Sequence, residues 1–156
     1  MTQQIEIGKP VPDFSSAATG NQAVKLSALK GKKVVLYFYP KDATPGCTIE
    51  SQNFRDAQEQ FNGAGAVILG VSRDGMKSHD KFKANECLPF DLLSDEDETL
   101  CELFGVMKMK NMYGKQVRGI ERSTFLIDAD GVLRQEWRGL KVDGHVNEVL
   151  QAVKKL

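Results

Sequence analysis

Hydrophobic positions along this chain switch between two rhythms. The run Val34-Val-Leu-Tyr-Phe-Tyr39 is continuously apolar, as expected of a strand covered on both faces of a sheet, and Pro40 ends it. Ile49, Phe54, Ala57 and Phe61 then recur at helical spacing, which predicts one helix from Cys47 to Phe61, stopped by Gly63. Ala66 to Ser72 reads as a second buried strand and Met76 to Asn85 as a second helix anchored by Phe82. Pro89-Phe-Asp-Leu-Leu93 predicts a short strand, Glu98 to Phe104 a short helix, and Ser123 to Ile127 a further strand. Asp128-Ala-Asp-Gly131 supplies the glycine that a tight turn requires, so Val132 to Trp137 should return as the second arm of a hairpin. Val142 to Lys155 closes as an amphipathic helix carrying Val146, Val149, Leu150 and Val153. Upstream, Ala23 to Leu26 alternates like a short strand, Ser27 to Gly31 forms one turn, and the start, with Pro10, Pro12 and Gly20, reads as loop. Met107, Met109 and Met112, interleaved with Lys108 and Lys110, fit neither rhythm, and core filling and a partner-binding surface both stay open for them.

Alternating strands and helices followed by a hairpin and a helix predict an α/β fold. Its central sheet is mixed, helices cover both faces, and a site is expected beyond the carboxyl ends of the strands. The length, 156 residues without repeat, low-complexity tract or linker, suits one domain over 1–156. Twenty-one basic residues cancel twenty-one acidic ones, so no net field draws the chain to nucleic acid or an anionic membrane. The apolar runs are far shorter than the roughly 20 residues of a membrane helix. The first ten residues lack the pattern of a secretory signal, so a cytoplasmic protein with reduced thiols is expected.

Three cysteines, Cys47, Cys87 and Cys101, do not look like a structural disulfide set. Cys47 falls in the first turn of its helix, where unpaired amides and the positive end of the macrodipole favour a thiolate. Thr44, three residues upstream, brings a hydroxyl able to donate to that sulfur or to an oxygen beside it, and Pro45 and Gly46 let the backbone approach closely. A small packed residue is the bland alternative for an isolated intracellular cysteine; these surroundings argue for a nucleophile.

At these residues the chain resembles the peroxiredoxins: Pro40, Thr44 and Cys47 match the pattern Pro-x-x-x-Thr/Ser-x-x-Cys. It is similar in particular to the bacterioferritin comigratory protein, or PrxQ, branch. That likeness rests on Tyr37-Phe-Tyr-Pro-Lys41, Thr44-Pro-Gly-Cys-Thr48, Leu92-Leu-Ser-Asp-Glu-Asp97, Phe104-Gly-Val106 and Arg122-Ser-Thr-Phe-Leu-Ile-Asp-Ala-Asp-Gly131, and covers the chain from Gly8 onward. The resemblance implies a thioredoxin-like fold with an N-terminal extension, and a thiol-dependent peroxidase that reduces hydrogen peroxide and organic hydroperoxides through a cysteine sulfenic acid. It assigns Cys47 as the peroxidatic cysteine, Thr44 as its hydroxyl partner, Pro40 as a shield against water and Arg122 as the catalytic arginine. No cofactor is implied. The implied reductant is a thiol such as thioredoxin, glutaredoxin or a small thiol, and a monomer is expected.

One departure bears on turnover. The resolving cysteine of this branch commonly lies five residues after the peroxidatic one, and Gln52 stands there. Another subset carries it in the following helix, near Lys83 here, and Cys87 lies one helical turn further on. Leu88-Pro89 predicts that this helix ends first. A one-cysteine cycle with an external thiol is therefore favoured over a Cys47–Cys87 disulfide, and Cys101, among apolar neighbours, reads as a packed thiol. A thioredoxin-like exchange or binding module is the alternative from another class, and the absence of Trp-Cys-x-x-Cys counts against it. His79 and His145 stand at no fixed spacing from a cysteine, so no metal site is expected. The glycines of Gly63 to Gly70 precede a strand instead of following one, unlike a dinucleotide fingerprint. The acidic run Asp95 to Glu98 reads as a solvated helix start.

Overall fold

The apolar run of the core forms the middle of a sheet. The computed structural model describes residues 5–156, apart from the side chain of Met112. In chain order the elements are β1 (Ser15–Ala18), β2 (Gln22–Lys25), β3 (Lys33–Phe38), α1 (Pro45–Asp56), α2 (Gln58–Gly63), β4 (Ala66–Ser72), α3 (Met76–Glu86), β5 (Leu92–Ser94), α4 (Thr99–Leu103), β6 (Met107–Met112), β7 (Lys115–Ile120), β8 (Ser123–Ile127), β9 (Leu133–Arg138) and α5 (His145–Lys154). One sheet has the order β2-β1-β5-β4-β3-β8-β9. β3, β4 and β5 run parallel, and β8, β9, β1 and β2 join antiparallel, so the sheet is mixed as expected.

Strand pleating sorts β3 into two cores. Val34, Leu36 and Phe38 face one side, with Phe104, Phe125 and residues of α4. Val35, Tyr37 and Tyr39 face the other, with Phe54 of α1, Phe61 of α2, Phe82 of α3 and the apolar stripe of α5. Each such side chain contributes about 1.5–3 kcal/mol by leaving water. Gly70 in β4 is required by this packing: a Cβ there would meet Leu92 at 2.7 Å and the Tyr37 ring at 2.8 Å.

Three local readings are corrected. The helix expected over residues 47–61 is two helices broken at Ala57, whose amide bonds to the Phe54 carbonyl at 3.2 Å. Phe54 and Phe61 pack in the same core on either side of the break, so apolar spacing could not reveal it. The short strand expected at 89–93 occupies Leu92–Ser94. The loop-like start contains β1, whose buried positions are Ser16 and Ala18, too small and polar to give an apolar signal. The Met/Lys stretch forms a separate hairpin of β6 and β7, turned through Tyr113 (φ 55°) and Gly114 (φ 80°). Residue type misstates part of its faces: Met107 and Lys110 are half-buried, whereas Lys108 and Met109 are exposed.

Candidate active site

β3 ends at Phe38, paired with Val71 of parallel β4 and with Ser123 of antiparallel β8. The carboxyl end of β3 therefore meets the start of β8. That register brings Arg122, immediately before β8, to the helix that follows β3. Thr44 is the N-cap of α1, Pro45 its first residue, and Cys47 its third. Cys47 lies in the first turn and is only 1% exposed.

The Arg122 guanidinium divides its donors between two acceptors. Nη2 donates to Cys47 Sγ at 3.4 Å and Nη1 donates to Glu50 Oε1 at 2.7 Å. Gly46 makes this possible, because a Cβ at that position would stand 3.1 Å from Arg122 Nη2. Burial works against the charge of Arg122, but the negative charges of Glu50 and Cys47 outweigh it and hold the guanidinium above its ordinary value. Glu50 is fully buried one turn after Cys47, and its second oxygen, Oε2, has no hydrogen-bond partner among the described residues. Burial pushes its carboxyl up to about 7, with Arg122 pulling the other way.

Thr44 departs from its expected bond. Its hydroxyl donates to the Lys41 carbonyl at 2.7 Å, so its single proton is engaged and its oxygen is left to accept. Pro40 is half-buried at the end of β3. Cys87 is exposed at the C-cap of α3 in the left-handed region (φ 53°), so the helix does end before it. Nearby, Gln52 Nε2 donates to Glu86 Oε1 at 2.8 Å and Arg55 Nη1 to the Glu86 carbonyl at 2.9 Å, tying α1 to the end of α3. Cys101 is buried, and burial and then Asp95 push its thiol far above the ordinary range, which suits a packed thiol.

Sequence reasoning missed three groups here. Glu50 could have been noticed as a carboxylate one turn from Cys47, on the buried side of α1. His145 lies under the site with Nε2 and Thr124 Oγ1 2.8 Å apart; burial first and Arg122 second lower its pKa to about 4, so it stays neutral near the arginine. Lys110 of β6 donates to the Ile120 carbonyl, and burial, then the charge of Arg122, lower its pKa. Neither carried a signal, because their place depends on strands far apart in the chain.

A buried cysteine in the first helical turn after a parallel strand stands beside an arginine delivered from an antiparallel neighbour, on a sheet of thioredoxin-like order. The model of the AhpC/TSA family matches residues 7–136, and the chain belongs to that family, the peroxiredoxins. Within it, the chain is similar to proteins called Bcp: 53% identical over 146 residues to a putative peroxiredoxin bcp of Coxiella burnetii, covering 94% of this chain and 97% of the relative. It is likewise 53% identical over 152 residues to peroxiredoxin Bcp of Bacillus subtilis, covering 97% of each. A structure of the Xanthomonas campestris bacterioferritin comigratory protein, concerned with its alkyl peroxide reduction activity, superposes with a TM-score of 0.90 at 49% identity, covering 96% of this chain and 98% of that one. PrxQ of Xylella fastidiosa superposes with a TM-score of 0.93 at 42% identity, covering 99% and 98%. The fold is thioredoxin-like, and the protein is a thiol-dependent peroxidase that takes peroxide as substrate and a thiol as reductant. No helix among the described residues is long and apolar enough to cross a membrane.

Proposed function

We propose that Cys47 is the peroxidatic nucleophile, with Arg122 and Thr44 as its catalytic partners and Pro40 as the shield of the pocket. The observation that carries this reading is the 3.4 Å contact between Arg122 Nη2 and Cys47 Sγ at the start of α1. The Cys47 thiolate attacks one peroxide oxygen; an S–O bond forms, the O–O bond breaks, and the departing oxygen takes a proton to leave as water or alcohol. Negative charge grows on that departing oxygen, so the Arg122 guanidinium and the free amides of the first turn stabilise the transition state more than the ground state. Thr44, whose hydroxyl donates to the Lys41 carbonyl, accepts a hydrogen bond from the peroxide hydroxyl and so orients the oxygen under attack.

The sulfenic acid on Cys47 then condenses with an external thiol, releasing water and forming a mixed disulfide, and a second thiol restores Cys47. Thioredoxin, glutaredoxin or a small thiol fits this role. The chain works as one domain over 1–156, as a monomer in the cytoplasm, where such reductants keep thiols reduced. A Cys47–Cys87 disulfide is the second reading, favoured by the exposure of Cys87 and by the ties from Gln52 and Arg55 to Glu86.

Cys47→Ser is expected to abolish peroxide reduction with the fold retained, and substantial residual turnover overturns the assignment. Wild type treated with one equivalent of peroxide is expected to gain the mass of one oxygen, and Cys87→Ser to turn over with a thioredoxin system. A mass two hydrogens lighter, with an inactive Cys87→Ser, makes Cys87 the resolving residue.

A further inference from the structure

On the other side of the loop between β3 and α1 lies a polar network that the peroxidase chemistry does not use. Its centre is Asp42, which is buried. Oδ1 accepts the Tyr39 hydroxyl at 2.6 Å, and Oδ2 accepts the Ser78 hydroxyl at 2.9 Å. Oδ2 also lies 2.7 Å from His79 Nδ1. The other ring nitrogen of His79, Nε2, donates to the Leu93 carbonyl at 2.8 Å, since a carbonyl has no hydrogen to give. The backbone amide of Asp42 donates to Asp74 Oδ2 at 2.8 Å, an oxygen that also accepts the Ser72 hydroxyl at 2.6 Å. One loop residue is thus held by β3, by α3, by β5 through His79, and by the turn after β4.

Asp42, Asp74 and His79 offer ligand atoms within 4.8 Å of one another, which raises the possibility of a cation site. The hydrogen bonds argue otherwise. Hydroxyl donors already converge on Asp42, and an amide N–H and a hydroxyl on Asp74, so the carboxylate oxygens of the group are engaged within the protein.

The residue that follows shows what the network is for. Ala43 has φ 62°, a left-handed conformation that an L residue adopts only when its surroundings over-determine it. Thr44 comes next and starts α1: its carbonyl accepts the Thr48 amide at 2.9 Å and its hydroxyl is directed to Lys41. Relaxation of Ala43 would swing Thr44 and the first turn, and Cys47 would move relative to Arg122, which is anchored separately at the start of β8.

We infer that His79 is a positioning residue for the peroxidase reaction, acting through Asp42 to hold the strained Ala43 turn and so to set Cys47 against Arg122. The inference rests on Cys47 being the nucleophile. His79 touches neither substrate nor sulfur; it bolts the loop to α3 and β5. The bond that matters is the one from Nδ1 to Asp42, and the bond from Nε2 to Leu93 only steadies the ring.

Two amide substitutions separate those bonds. In His79→Asn the amide nitrogen falls near the place of Nδ1 and keeps a donor for Asp42; in His79→Gln it falls near the place of Nε2 and keeps the bond to Leu93. The rate of Cys47 oxidation by hydrogen peroxide, followed by stopped flow, is expected to fall about 10- to 100-fold in His79→Gln, the scale of a reacting group displaced by about 1 Å. His79→Asn is expected to stay within about threefold of wild type. Amide hydrogen exchange over residues 42–48 should quicken in His79→Gln and not in His79→Asn. Equal rates and equal exchange in the two variants, whatever their thermal stability, overturn the inference and leave His79 a packing residue. The exchange measurement, repeated in a Cys47→Ser background, tests the clasp even if the nucleophile is another residue, whereas peroxide turnover by Cys47→Ser itself would strike only the assignment of Cys47.

Discussion

Glu50 and Asp42 are both buried carboxyl groups flanking Cys47 in sequence, and they are furnished in opposite ways. Glu50 has a single strong partner, Arg122, and an oxygen with no partner among the described residues; burial pushes its carboxyl up to about 7. Asp42 meets Tyr39, Ser78 and His79 at its two oxygens, so neither oxygen is left without a partner. Burial and then the neighbouring Tyr37 and Asp42 push the Tyr39 hydroxyl well above its ordinary value, which keeps it a donor. A carboxylate with few donors is held near its tipping point and leaves the arginine free to spend charge elsewhere; one with a full set fixes backbone. The first belongs to chemistry and the second to geometry.

The largest expected effect comes from the chemical side. Arg122→Ala should slow Cys47 oxidation by about 10²–10³-fold, the scale of losing one donor aimed at developing charge, in a stopped-flow measurement with hydrogen peroxide. A rate within a few-fold of wild type would remove Arg122 from the site.

Next comes the pH dependence of stability. The folded protein holds the Glu50 proton up to about pH 7, while the unfolded chain releases it near the ordinary 4.5. The stabilisation is therefore full below about pH 4.5 and is lost as pH rises through about 7, by up to about 3 kcal/mol. Denaturant midpoints of Glu50→Gln against wild type across that window should show this slope in wild type and its loss in the variant. An unchanged slope would mean that Glu50 stays ionised throughout.

The smallest effect lies on the geometric side. Tyr39→Phe removes one of the two hydroxyl donors to Asp42 and should cost about 2 kcal/mol by equilibrium unfolding, since hydrogen bonds to charged groups carry about 1.5–3 kcal/mol. It should leave the pH slope intact. A change in slope would join the two acids into one coupled system and break the contrast between them.

The amino-acid sequence by itself determined the elements whose side chains carry their own signal. The apolar runs of β3 and β4 and the valine stripe of α5 are legible because burial on one or both faces leaves a period in residue type, and the Asp128 to Gly131 turn because glycine supplies its positive φ. The position of Cys47 at a helix N-terminus was legible because strand, loop and helix start lie within a short stretch; the bond of Thr44 was not, since its hydroxyl turns back to Lys41. Glu50, His79 and Lys110 were not. Glu50 becomes part of the site only because the antiparallel register of β8 against β3 delivers Arg122 beside it. His79 reaches Asp42 only because parallel β4 returns α3 across the same face of the sheet. The hairpin of β6 and β7 was hidden because Met109 and Lys110 sit on the faces opposite to their polarity. A residue's chemistry is written in the chain, but the partner that gives it a role is supplied by strand register, and register depends on packing between segments that the local pattern cannot bring together.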